Sequence, residues 1–212
     1  MRNNTTTAQT NGKLSNVDSE NSNFENTSYF PIRDVEAFIY SGFMGKIEIN
    51  PVAGKKNAYR ADYFLVRSSK HIYSEDYHYD ENGVCQWTTL EFNGKYPKLE
   101  FDPPIIFYPI SDKVGDKKSL LVNEIRHFED GSKEIEKLQI DYHVDAICDQ
   151  RSRFGHFKNC IKMSMRMSYP NNPKQKHMHG KTTWWFAPEF GVIKYKMKSI
   201  ITGKLKRVIK SN

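Results

Sequence analysis

The sequence predicts an all-β domain, an antiparallel meander curled into a half-open or closed barrel, preceded by a disordered N-terminal tether. Two long segments and the spacing of the turns carry this prediction. In the first segment Leu138, Ile140, Tyr142, Val144 and Ala146 alternate with Gln139, Asp141, His143 and Asp145. In the second, Ile161, Met163, Met165, Met167 and Tyr169 alternate with Lys162, Ser164, Arg166 and Ser168. Period two over that length marks half-buried antiparallel strands with one wet face. Turn signals recur between short strand-like runs, as in a barrel or strongly curved sheet. No window carries comparable helical periodicity, although residues 132–138 can open a helical turn.

The elements follow in order. Residues 1–28 are dominated by Asn, Thr and Ser and hold almost no large apolar side chain. Such a segment cannot offset its ordering entropy by burial, so it reads as a tether. The single folded domain then spans 29–212. Strand signals lie at 38–40, 46–52, 59–66, 71–79 and 84–92, with Asn82-Gly83 as a two-residue hairpin turn. Asn93-Gly94 marks another turn. Asp102-Pro103-Pro104 separates a strand at 98–101 from one at 105–108, since proline has no N–H for a ladder. A polar loop covers 113–118, and a strand at 120–128 turns at Asp130-Gly131 into one at 133–146. Near the C-terminus Thr183-Trp184-Trp185-Phe186-Ala187 is a strand that Pro188 ends. Gly191 takes φ > 0 where the chain turns back into Val192-Ile193-Lys194-Tyr195. This reads as the closing hairpin of the sheet.

Length and composition fit one soluble domain: 212 residues, 27% charged and 38% apolar. No stretch approaches the roughly 18 apolar residues of a transmembrane helix. The start, Met1 to Thr7, has no apolar core of a signal peptide. The expectation is a cytoplasmic protein, or an extracytoplasmic one whose leader was removed ahead of this numbering.

Net charge is +7, and from Lys194 onward Lys194, Lys196, Lys198, Lys204, Lys206, Arg207 and Lys210 appear with no acid. The rest of the chain is therefore near neutral. Alternating lysines fit the solvated face of a strand that resists aggregation. They also fit a footprint for an anionic polymer or membrane surface, nucleic acid being the weakest of these partners.

Aromatic residues make up 13% of the chain and concentrate in the strand-like segments. Core packing accounts for them, and so does an apolar cavity in a curved sheet holding a hydrophobic small molecule or lipid. The cavity reading selects Trp184, Trp185, Phe186, Met163, Met165 and Tyr142, with the methionines as adaptable lining. Cys148 and Cys160 flank a loop, but strict alternation puts Cys148 on the apolar face and Cys160 on the polar one. A cross-strand bridge then requires a bulge that shifts the register. His177-Met178-His179 has the spacing of a metal pair on a strand, yet Pro170 to Pro173 and Gly180 around it read as an exposed loop. His143 with Asp141, and Arg166 with Ser164, share the polar faces of their strands, where a pocket and a wet surface fit alike. No phosphate-binding loop, nucleophile elbow, zinc spacing or paired carboxylate is present, so neither catalytic residue nor cofactor is assigned.

Three segments together resemble a family of bacterial secreted proteins and lipoproteins of unknown function. Tyr29-Phe30-Pro31-Ile32 with Phe38-Ile39-Tyr40 is similar to its Tyr-Phe-Pro-Leu opening and Trp-x-Tyr strand, with Val35 at the usual Gly. Gly155-His156-Phe157-Lys158-Asn159-Cys160 is similar to its Gly-x-Phe-x-x-Cys segment. Phe186-Ala187-Pro188 through Gly191-Val192-Ile193-Lys194 is similar to its closing motif, with Glu189 at the usual Gly. The resemblance implies a half-barrel like that of lipoprotein carriers, a secreted or lipid-anchored location, and no reaction. It points to a non-enzymatic binding or structural protein.

Deleting residues 1–28 is expected to leave the melting temperature within about 2 °C, because the segment has little to bury. A larger loss in a calorimetric scan would move the domain start upstream.

Overall fold

Alternation makes every strand apolar on one side, and twelve such strands bury that side by closing on one another. The computed structural model describes Tyr29 and residues 35–41, 44–65, 68–80, 85–93, 97–107, 109–152, 155–172, 181–197 and 201–210. The strands are β1 (Val35–Ser41), β2 (Met44–Pro51), β3 (Ala58–Leu65), β4 (His71–Tyr79), β5 (Cys85–Phe92) and β6 (Lys98–Ile106). After them come β7 (Lys117–His127), β8 (Lys133–Ser152), β9 (Gly155–Ser168), β10 (Thr182–Ala187), β11 (Gly191–Met197) and β12 (Ile201–Lys210). Each pairs antiparallel with its neighbours in sequence, and β12 pairs with β1, so the sheet is a closed up-and-down barrel. The tether, Asn82-Gly83, Gly94, the His177 and His179 pair and Lys198 lie outside the described residues.

The structure corrects the sequence reading at several points. Residues 132–138 open no helix; from Lys133 they are strand. The β10–β11 hairpin does not close the sheet, since β12 lies between β11 and β1. Pro103 and Pro104 do not break β6. Its pairing with β5 jumps from Trp87↔Ile105 to Thr89↔Glu100, and its pairing with β7 ends at Asp102↔Asn123. Neither proline is therefore asked for a ladder N–H.

Inward side chains line the lumen. Ile105, Val122, Leu138, Ile140, Tyr142, Met163 and Phe186 are buried around the wall. Phe107, just past β6, spans the interior, with ring centroids 5.6 Å from Tyr77, 6.2 Å from Trp87, 5.4 Å from Trp184 and 6.5 Å from Phe186. Tyr142 crosses to β6 and donates its hydroxyl to the Ile106 carbonyl at 2.9 Å. Gly203 lies opposite Tyr195, whose ring occupies the space a Cβ at Gly203 would need. At the end carrying the β7–β8 turn, Arg126 pairs with buried Glu124 at 2.7 Å and with Glu136 at 2.9 Å. Tyr169 also donates to Glu124, at 2.8 Å.

The outer wall is charged. Arg60 meets Asp62, Asp76 and Glu91 across β3, β4 and β5. Apolar-in and charged-out is the reverse of a barrel that spans a membrane. No helix among the described residues is long and apolar enough to cross one.

Met165 is 5% exposed on the inner wall, whereas its neighbour Arg166 is exposed. Met165→Lys is expected to destabilise the domain by at least about 3 kcal/mol, because it buries an unpaired charge. Arg166→Ala is expected to cost under about 1 kcal/mol. Chemical denaturation of both variants checks the face assignment, which fails if they behave alike.

Candidate functional site

The site begins with strand length. Pro188 ends β10, and Ala187 pairs with Gly191 across a tight turn. Gly191 has φ 70° and Glu189 has φ 65°. Glu189 thus holds the left-handed conformation that glycine favours, at the position where the resembled motif carries Gly. The resulting hairpin is short, while its neighbours run on. The last β9–β10 pair is Phe186↔Ile161, so Gly155 to Cys160 of β9 extend past the hairpin, paired with β8 alone. On the other side β11 and β12 pair only from Lys194↔Lys204 to Met197↔Ile201, while β12 continues along β1 to Lys210.

The rim therefore carries a notch between β9 and β12, with the β10–β11 turn as its floor. Side chains satisfy the backbone left open there. Tyr40 donates its buried hydroxyl to the Val192 carbonyl at 2.6 Å, and Tyr29 donates to the Asn159 carbonyl at 3.2 Å. Burial pushes both phenols up.

The notch has a volume of about 610 Å3 and is lined by the cations Lys158, Lys206, Arg207 and Lys210, by His156, and among the described residues by no carboxylate. Its apolar part includes Pro188, Leu205 and the rings of Phe157 and Phe190, which meet edge to face at 5.2 Å. Phe190 is 39% exposed. A bulge helps to aim the cations: Ile39 pairs with Arg207 but Tyr40 with Leu205, which leaves Lys206 as the extra residue. Bulges re-aim side chains in this way. Asp149 of β8 lies 3.2 Å from the His156 ring and 3.2 Å from the Asn159 amide.

A second basic feature lies on the outer wall. Lys162, Trp185, Lys194 and Lys204 are consecutive pairing partners across β9, β10, β11 and β12. The Lys194 ammonium stands 4.1 Å from the centroid of the Trp185 ring, and that of Lys162 stands 5.7 Å away. Desolvation, then Lys204 and Lys162, holds the Lys194 ammonium below the usual lysine range. Ion pairing on this wall centres on Asp145, 3.8 Å from Lys162 and 3.9 Å from Lys181.

The residues selected from sequence thus fall into three places. Trp184, Phe186, Met163, Met165 and Tyr142 share the inner wall. Trp185 pairs with two lysines and belongs to the outer wall, together with Lys194, Lys204 and Lys196, the last paired with Thr202. Lys206 and Arg207 line the notch. Lys210, read from the sequence as part of the basic C-terminal cluster, also lines the notch, whereas sequence reasoning missed Lys158, Phe157 and Phe190 as site residues. The first two lie within the Gly-x-Phe-x-x-Cys segment, but only the unequal strand lengths make them face β12.

A second buried carboxylate, besides Glu124, sits on β4. Glu75 is buried on β4 and accepts hydrogen bonds from the Tyr63 and Tyr77 hydroxyls. Burial pushes its carboxyl up to about 7, with the two phenols opposing that rise. Among the described residues no cluster of three or more His, Cys, Asp or Glu is placed to hold a metal ion.

No protein-family model and no curated protein matches the chain. A solved structure, the hypothetical lipoprotein YmcC from Escherichia coli (K12), aligns over 88% of this chain and 95% of its own, with 9% sequence identity and a TM-score of 0.43. At that level of likeness the functional reading stands on the residues themselves.

Glu75 makes stability fall as pH rises. Below about pH 4.5 both folded and unfolded chains hold the proton. Between that value and about 7 the unfolded chain releases it and the folded one retains it. The stability lost across this window is on the order of 3 kcal/mol. Glu75→Gln cannot ionise, so its stability relative to the parent is expected to rise between those limits. Urea unfolding at the two ends measures the difference, and a constant difference would mean that Glu75 does not titrate there.

Proposed function

We propose that this protein is a non-enzymatic binding domain working outside the cytoplasm, and that its notch holds an amphiphilic anion. The headgroup sits on Lys158, Lys206, Arg207 and Lys210, and the apolar part lies against Phe157, Phe190 and Leu205. One observation carries the reading: a concave site with cations on its walls, no carboxylate among the described lining residues, and an aromatic pair of which Phe190 is exposed. Ligand sites are typically concave, about 300–1,000 Å3 in volume and mostly apolar, with a few polar groups that fix orientation. The extracytoplasmic placement rests on the motif resemblance of residues 29–195.

The reading joins the two expectations raised by the sequence, a hydrophobic ligand and an anionic contact, at one place. Trp184, Phe186, Met163, Met165 and Tyr142 share the lumen with Phe107, whose ring is in contact with both sides of the barrel. That packing favours the rim over the lumen as the place where a ligand enters. A second reading has its own observation, the row Lys162, Trp185, Lys194 and Lys204. The lysines over Trp185, which is itself 9% exposed, suit an anionic membrane surface.

Calorimetric titration separates them. A monomeric anionic amphiphile is expected to bind at least about tenfold more tightly than a zwitterionic one of equal chain length, and more weakly at high salt. Lys206→Glu combined with Arg207→Glu is expected to lower that affinity at least about tenfold with little change in melting temperature. Binding to anionic vesicles but to no monomer, abolished by Lys194→Glu with Lys204→Glu, would favour the outer wall instead. Binding to neither probe at any salt would remove both readings.

A further inference from the structure

We propose that Cys148 and Cys160 form a disulfide that clamps the β8–β9 arm, the wall of the notch that has no β10 partner. Strict alternation sets the two cysteines on opposite faces, but β8 carries a bulge. Val144 pairs with Met163 and Ala146 with Lys162, so Asp145 is the extra residue, and the pairs from Ala146 to Cys148 shift by one. Cys148 and Cys160 then become direct partners across the ladder. Directly opposed residues of antiparallel strands have Cα atoms about 4.5–5.5 Å apart, within the roughly 4.4–6.8 Å that disulfides span.

Position gives the bridge its consequence. Ile161 is the last β9 residue paired with β10, and Cys160 is the next residue outward, at the root of the arm. Beyond it the arm is held by Gln150↔Phe157, Arg151↔His156 and Ser152↔Gly155, after a second register shift. Phe157, Lys158 and Asn159 of the notch lie on this stretch. A covalent tie at its root fixes both strands of the arm where β10 support stops.

In the structure both residues are thiols. Cys148 is half-exposed and Cys160 buried, its Sγ 3.4 Å from the Phe157 carbonyl. The exposed thiol meets the oxidant first. As a thiolate Cys148 attacks a small-molecule disulfide such as oxidised glutathione and releases one reduced glutathione. Cys160 then loses its proton and attacks the Cys148 sulfur of the mixed disulfide, releasing the second. Two protein thiols are oxidised while one glutathione disulfide is reduced to two thiols. Cys85, buried on β5 and paired with Tyr79, takes no part. The clamp does not depend on what the notch binds.

The experiment incubates the folded protein with oxidised glutathione and maps its peptides by mass spectrometry without reduction. A Cys148–Cys160 linked peptide is expected, with one titratable thiol remaining under denaturant in place of three. The oxidised form is expected to melt about 5 °C or more above the reduced form, and reductant should reverse the shift. Cys148→Ser and Cys160→Ser should each yield neither the linked peptide nor the shift. Retention of all three thiols, a link through Cys85, or a link only between chains would overturn the proposal, as would a bridge that leaves the melting temperature unchanged.

Discussion

Barrel closure by β12 is the constraint on which the rest of this structure depends. A sheet of half-buried strands left open would expose two edges and much of its apolar face. Here β12 pairs with β11 near its start and with β1 along most of its length. That dual role forces β12 to run far past the short β10–β11 hairpin. Closure and the notch are thus two results of one mismatch in strand length. The groups left open at the mismatch are met by Tyr40 and Tyr29, from β1 and the segment before it.

Charge follows the same geometry. On the β3 to β5 wall, Arg60 is surrounded by carboxylates. From β9 to β12, lysines pair with lysine, threonine or tryptophan across the ladder. Like charges placed opposite one another oppose folding, and burial of the closing strands has to outweigh that cost. Inside, burial raises the Glu75 carboxyl to about 7, and the Tyr63 and Tyr77 hydroxyls donate to it.

Bulges account for most of the distance between the sequence and the site. Period-two reading placed Met163, Met165 and Tyr142 on apolar faces, and they share one wall with Trp184, because no bulge intervenes in their pairing. The same parity sets Trp185 opposite Trp184, on the outer wall, although both are equally aromatic. The parity argument failed at Cys148, where one extra residue at Asp145 reversed it. Pro103 and Pro104 misled in the same way: a central strand cannot hold them, but an interrupted one can.

By itself the sequence determined the antiparallel β class, the order of its strands, the end of β10 at Pro188 and the collection of positive charge at the C-terminus. These are local properties, fixed by side-chain alternation and by residues that block or permit a backbone conformation. Tertiary structure alone decided that the barrel closes through β12, that Lys158 and Phe157 face Lys206 and Arg207, and that Cys148 meets Cys160. Each of these depends on the register between strands. Register is set by packing and bulges around the whole barrel, and no single strand carries it.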